Sequence, residues 1–222
     1  MTSSPALIFD LDGTLVDTAP DLLGALNAIL IREGRREVVY NDLRHLVGFG
    51  AGTMMTEAFK MTGDAVSAER ITELVTDYVD HYRANIAVAS KAFPGVDTTL
   101  TRLGQSGARM GVLTNKPQEL TDLLLPALSL DRHFGAVYGA GRMSYTKPDA
   151  RIFHDVVAEL GGPGAGAIMI GDSATDVATA RAAGRPVILV SYGYTPEPAH
   201  MLGADAVTDD FAEIPSLIER LL

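Results

Sequence analysis

Two patterns of apolar and polar positions divide this chain. Ala6-Leu7-Ile8-Phe9 is a short unbroken apolar run, which predicts a buried strand. After Asp17 the spacing turns helical. Pro20-Asp21-Leu22-Leu23-Gly24-Ala25-Leu26-Asn27-Ala28-Ile29-Leu30 gathers its apolar residues on one face, with Pro20 suited to a first turn. Further helices are predicted over Asp42–Val47, Thr53–Met61 and Ser67–Val88, the first two separated by Gly48-Phe49-Gly50-Ala51-Gly52. No run between Thr18 and Ser90 predicts a strand, so this stretch reads as an all-helical block inserted directly after the first strand. Met54, Met55 and Met61 read as its core filling, since methionine adapts to irregular gaps.

Phe93-Pro94-Gly95 breaks the helical pattern. From there strands and helices alternate. A helix over Val96–Gln105 leads to the apolar run Met110–Leu113 and then Thr114-Asn115-Lys116-Pro117. A helix from Gln118, interrupted near Pro126, precedes a strand at Ala136–Tyr138, and Pro148 opens a helix to Leu160. Ala167–Ile170 is a clear buried strand ending at Gly171-Asp172-Ser173-Ala174-Thr175-Asp176, with a helix to Ala183. Val187–Val190 is the next strand, Ala206-Val207 a small edge strand, and Phe211–Leu222 a closing helix. Such alternation predicts an α/β fold, a parallel sheet with helices on both faces. The expected domains are residues 1–16 with 92–222, and residues 17–91.

Composition narrows the function. Of 222 residues, 47% are hydrophobic and 21% charged, as in ordinary globular proteins, and no apolar run is long enough to cross a bilayer. The first residues carry no basic segment, so a secretory signal is not expected and the cytoplasm is the default compartment. The absence of cysteine excludes disulfides, thiol nucleophiles and thiolate metal sites. A net charge of -10 argues against a nucleic-acid surface, so an anionic substrate would need locally placed positive charge.

Candidate chemistry sits where strands end. Asp10 and Asp12 are two apart beyond the first strand, and alternation aims them to one side. Gly13 lets the backbone turn sharply and brings its N–H close to a ligand. Two crowded carboxylates are costly without a cation, and a divalent metal favouring oxygen relieves that cost. The plainer reading is an Asp-Gly turn. Thr114 offers a hydroxyl, and Asn115 an N–H, to a phosphate oxygen; the plainer reading is a helix cap. Lys147, before Pro148, either neutralises phosphate and Asp10 or is a solvated loop lysine. Asp172 and Asp176, four apart at a strand-to-helix turn, either share one face of a metal site or complement a helix dipole. The glycine-rich stretches Gly48–Gly52 and Gly161–Gly166 match neither a dinucleotide fingerprint nor a P-loop. The five histidines have no ligand spacing.

Order and spacing unite these signals. Asp10-Leu11-Asp12-Gly13-Thr14-Leu15-Val16-Asp17, then Thr114-Asn115, then Lys147-Pro148, then Gly171-Asp172-Ser173 with Asp176 resemble the motif set of the haloacid dehalogenase (HAD) superfamily across the whole chain. His81-Tyr82-Arg83, Phe93-Pro94-Gly95-Val96 and Tyr192-Gly193-Tyr194 resemble its phosphoglycolate phosphatase group. The resemblance implies a Rossmann-like core with an inserted all-α cap over residues 17–91. It implies a phosphatase acting on a small phosphate ester, 2-phosphoglycolate above others. Asp10 becomes the nucleophile forming an aspartyl phosphate, and Asp12 the acid and then the base. Thr114 and Lys147 become holders of the phosphoryl group, with Gly13 and Asn115 beside it. Mg²⁺ would be bound by Asp10, the Asp12 backbone carbonyl and Asp172, with Asp176 and Ser173 supporting from behind. Gly48 and Phe49 would line the substrate from the cap. No nucleic acid or membrane partner is implied, and the chain would be a monomer or homodimer. Gly141-Arg142-Met143 departs from the group, many of whose members carry an acidic residue there. A sugar phosphomutase of the same superfamily is the rival enzyme. A phosphate-accepting signalling or binding domain is the rival from another class.

Overall fold

The computed structural model describes residues 4–43, 47, 50–164 and 166–222. Two compact units emerge, one of Met1–Asp17 with Ala92–Leu222 and one of Thr18–Lys91.

In the first unit six strands form one parallel sheet: β1 (Ala6–Phe9), β4 (Arg109–Pro117), β5 (Ala136–Ala140), β6 (Ala167–Gly171), β7 (Val187–Val190) and β8 (Ala206–Thr208). Their spatial order is β5-β4-β1-β6-β7-β8. The chain therefore builds outward on one side of β1 through β4 and β5, then returns to the other side at β6. The point of reversal lies between β1 and β6, where the diverging connections of an open α/β sheet leave a ligand crevice beyond the strand ends. β1 reads as continuously apolar because all four of its residues are buried. Ala6 and Ile8 pack with Met169 and Leu189 and with Phe153 and Val156 of α7 (Ala150–Glu159), a face that also takes Val177 and Ala180 of α8 (Ala174–Ala182). Alternation turns Phe9 to the opposite face, where its ring lies 6.1 Å from that of Phe211 and 6.2 Å from that of Phe134.

In the second unit α1 (Ala19–Arg32) and α3 (Ala51–Thr62) both pack on α4 (Ala68–Ala84), and the short α2 (Tyr40–Leu43) packs on α1. Met54, Met55, Ala58 and Phe59 form the buried stripe of α3. Met61 departs from the expected core role: it falls at the edge of that stripe and is 38% exposed. The Asp21 carboxylate, in the first turn of α1, is buried and accepts hydrogen bonds from Ala89 N, Ser90 N and Ser90 Oγ at 2.6–3.1 Å. This closes the unit at the ends of its chain.

Several elements differ from their sequence expectations. A two-stranded sheet, β2 (Val16–Asp17) with β3 (Lys91–Ala92), forms where the chain leaves and returns; two-residue strands carry no periodicity to detect. α6 (Gln118–Ala127) carries Pro126 in its last turn and ends one residue beyond it, so the expected interruption coincides with the helix end. The helix expected over Asp42–Val47 is Tyr40–Leu43, and most of its remainder lies outside the described residues, as do Gly48 and Phe49. β4 continues through Pro117, four residues beyond the apolar run. Among the described residues no helix is long and apolar enough to cross a membrane. The remaining helices are α5 (Val96–Gln105) and α9 (Ile214–Leu221).

Candidate active site

Sheet register brings the expected residues to one edge. Phe9 is level with Val112 of β4 and with Ile170 of β6. Asp10 therefore stands beside Leu113 and Gly171, with Thr114 one step further along β4 and Asp172 just beyond the end of β6. Lys147 arrives from the loop before α7, its side chain only 2% exposed. Its ammonium lies 2.9 Å from Asp10 Oδ2 and 2.7 Å from Asp176 Oδ1.

Asp10, Asp172 and Asp176 are all buried and offer carboxylate oxygens within 4.8 Å of one another. Their local supports differ. Asp176 is saturated: besides Lys147 it accepts from Asp172 N, Ser173 N and Ser173 Oγ at 3.2, 3.0 and 2.7 Å. The last two close the first turn of α8, where Ser173 and Asp176 form a capping box. Asp172 receives Tyr194 N on Oδ2 at 2.7 Å and the Thr14 hydroxyl on Oδ1 at 3.4 Å. Asp10 accepts Leu11 N at 2.7 Å. Backbone approaches are close throughout. Gly13 has φ +81°, and a Cβ there would stand 2.5 Å from Asp172 Oδ2. A Cβ on Gly171 would stand 2.2 Å from Asp176 Cγ.

The Asp12 carboxylate is absent from this triad. It pairs with Lys116, whose ammonium lies 3.2 and 3.3 Å from its two oxygens. Lys116 is a site residue that sequence reasoning missed. Four steps of β4, Leu113 to Pro117, match only two of β5, Tyr138 to Ala140. The resulting bulge contains Thr114, Asn115 and Lys116 and re-aims them. The buried Thr114 hydroxyl accepts Lys116 N at 3.2 Å. Asn115 Nδ2 donates to the Lys147 carbonyl at 3.2 Å, tying two of the expected positions together, while its buried Oδ1 has no hydrogen-bond partner. Only the spacing Thr114-x-Lys116 hinted at this, and it does not distinguish a buried lysine from a solvated one.

The haloacid dehalogenase-like hydrolase family model matches residues 7–190 of this chain. The chain belongs to that family. Among similar proteins are the phosphoglycolate phosphatases of Caulobacter vibrioides, 45% identical over 97% of this chain and 91% of the relative, and of Agrobacterium fabrum, 42% identical over 99% and 94%. A solved structure described as a predicted phosphoglycolate phosphatase from Haemophilus somnus 129pt superposes with a TM-score of 0.90. It is 27% identical and covers 98% of this chain and 99% of that one. The relatives and the fold make this haloacid dehalogenase-like hydrolase a phosphatase.

Charge explains what this hydrolase edge can hold. Burial pushes the Asp10 carboxyl up to about 6, helped by the negative Asp176 and opposed by Lys147. Burial, then Asp176 and Asp10, holds Asp172 well above the usual carboxylate range. Burial pulls the Lys147 ammonium down, but Asp10 and Asp176 outweigh it and keep it firmly charged. Three buried carboxylates thus share one lysine. The donor set is all oxygen, and Asp10 and Asp172 keep coordination capacity that Asp176 has spent. These residues fit a hard divalent cation.

Proposed function

We propose that this phosphatase hydrolyses a small phosphomonoester, 2-phosphoglycolate above others, with Mg²⁺ and through an aspartyl phosphate on Asp10. The observation that carries the reading is the buried Asp10 carboxylate set between Lys147 and the Asp172–Asp176 pair, with a second ion pair, Asp12–Lys116, alongside. Mg²⁺ would be held by Asp10 and Asp172 with the Asp12 carbonyl, and would supply charge neutralisation for the phosphoryl oxygens.

The residues of the chain do the rest. Asp10 attacks phosphorus, the ester P–O bond breaks, and Asp12, protonated from solvent and parted from Lys116 at that stage, gives its proton to the departing oxygen. Asp12 then takes a proton from water as that water attacks the phosphorus, and the Asp10 carboxylate is released with inorganic phosphate. Lys147, fixed by Asp10 and Asp176, balances the charge of the transferring group. Lys116, paired with Asp12, holds the Asp12 side chain in place. Thr114 and the Asn115 N–H, at the same sheet edge, bind phosphoryl oxygens in this reading.

The helical unit, Thr18–Lys91, acts in this reading as a cap that limits substrate size and excludes water. The names of the relatives at 45% and 42% identity support 2-phosphoglycolate. The test is kcat/KM with Mg²⁺ for 2-phosphoglycolate, hexose phosphates and a phosphopeptide. The expected order places 2-phosphoglycolate first by at least roughly tenfold, the scale of one well-made contact. A hexose phosphate in first place overturns the substrate assignment; a phosphopeptide in first place overturns the cap reading.

A further inference from the structure

Tyr192-Gly193-Tyr194 follows β7 and takes no part in the chemistry above, yet it touches both the acidic site and the chain's route out of the core. Tyr194 is buried. Its backbone N–H donates to Asp172 Oδ2 at 2.7 Å, and its phenol donates to Asp17 Oδ1 at 2.7 Å. Asp17 is the last residue of β2, from which the chain leaves for the helical unit. The Tyr192 phenol donates to the Thr14 carbonyl at 3.0 Å, and its ring lies 4.3 Å from that of Phe93, just beyond β3 where the chain returns. Phe93 N in turn donates to the Leu15 carbonyl at 3.0 Å, joining the outgoing and returning segments.

Plain packing does not account for this arrangement. A buried tyrosine needs one partner for its hydroxyl. Here the two polar ends of one residue reach two carboxylates, one just beyond β6 and one in β2. Gly193 makes the approach possible, because a Cβ there would lie 2.3 Å from Asp172 Oδ2. We infer that Tyr194 is a positioning residue that ties the orientation of Asp172 to that of Asp17, so that metal binding in the acidic site stiffens the outgoing and returning segments of the core. The inference rests on the metal reading proposed above. A cation held by Asp172 would restrict a side chain already anchored through Oδ2 to Tyr194 N, and the phenol would pass that restriction to β2.

The test measures Mg²⁺ binding by calorimetry and amide hydrogen exchange at Val16 and Phe93, with and without Mg²⁺, in the full chain. In the wild type Mg²⁺ is expected to slow exchange at these amides roughly 3- to 10-fold, the worth of one hydrogen bond. Tyr194→Phe keeps the ring and the N–H to Asp172. It is expected to bind Mg²⁺ within roughly threefold of wild type but to lose the slowing. Asp17→Ala removes the other partner and is expected to behave alike, with no further loss in the double variant; it carries the test if Tyr194→Phe does not fold. Mg²⁺ binding without slowing in the wild type, or undiminished slowing in both single variants, overturns this inference and leaves the metal reading standing. Absence of Mg²⁺ binding to the wild type overturns both.

Discussion

At the scale of single residues, the site is a problem in unshared charge. Asp10, Asp172 and Asp176 are buried around one lysine, and a carboxylate attacking a phosphate needs its charge masked. Asp10→Asn is expected to lower kcat by ~10³-fold or more, because an amide forms no acyl phosphate; steady-state phosphate release measures it. Lys116→Met removes the partner of Asp12 without touching the triad. The loss of a charge-assisted hydrogen bond there is expected to cut kcat roughly 10- to 100-fold, with Lys116→Arg recovering part of it. An unchanged kcat in Lys116→Met would remove Lys116 from the site.

At the scale of elements, two devices set side chains that no single segment orients. The bulge in β4 turns Thr114–Lys116 inward, and the turn from β6 into α8 holds Asp176 with three donors. The helical unit has its own closure in Asp21, whose carboxylate gathers both N–H groups and the hydroxyl of Ala89-Ser90. Asp21→Ala leaves the buried Ser90 N–H and hydroxyl unpaired. It is expected to destabilise the protein by ~2–3 kcal/mol, read as a lower midpoint in urea unfolding. The active-site triad is untouched by this change, so kcat at a temperature where the variant is folded should stay near wild type.

At the scale of the whole molecule, pH and metal act on the same carboxylates. The folded-state value of Asp10, about 6, lies above its ordinary 3.8, and Asp172 is shifted the same way. The folded state therefore binds more protons than the unfolded chain between those values, so these groups cost stability once pH rises through about 6 and are relieved as it falls. Asp149 and Asp205 are shifted downward instead, and their contribution is lost only in more acidic solution. The metal-free protein is thus expected to melt at a higher temperature near pH 5 than near pH 7.5. Added Mg²⁺ should raise the melting temperature at pH 7.5 and do so less near pH 5, where protons compete for the same oxygens. Chelation should abolish activity and Mg²⁺ restore it. A melting temperature that ignores Mg²⁺ at both pH values would contradict the metal reading.

Much of this was legible in the chain itself. Buried parallel strands demand continuous apolar runs, so β1, β6 and β7 and the polar residues just beyond them stand out, and with them Asp10, Asp12 and Asp172. The long helical stretch before Phe93 was legible for the same reason, through its 3.6-residue period. What the folded structure decided is who meets whom. Lys116 could not be told from a surface lysine, because its burial depends on a bulge defined only against β5. Asp12 was expected to aim with Asp10, and the turn at Gly13 with the pull of Lys116 takes its carboxylate elsewhere. Tyr194 stood in a recognisable motif with no role until Asp172 and Asp17, 22 and 177 residues away in sequence, closed on it. Local periodicity follows from which faces are buried and is written in neighbouring residues. The pairing of distant charges follows from sheet register and strand order, which no local pattern encodes.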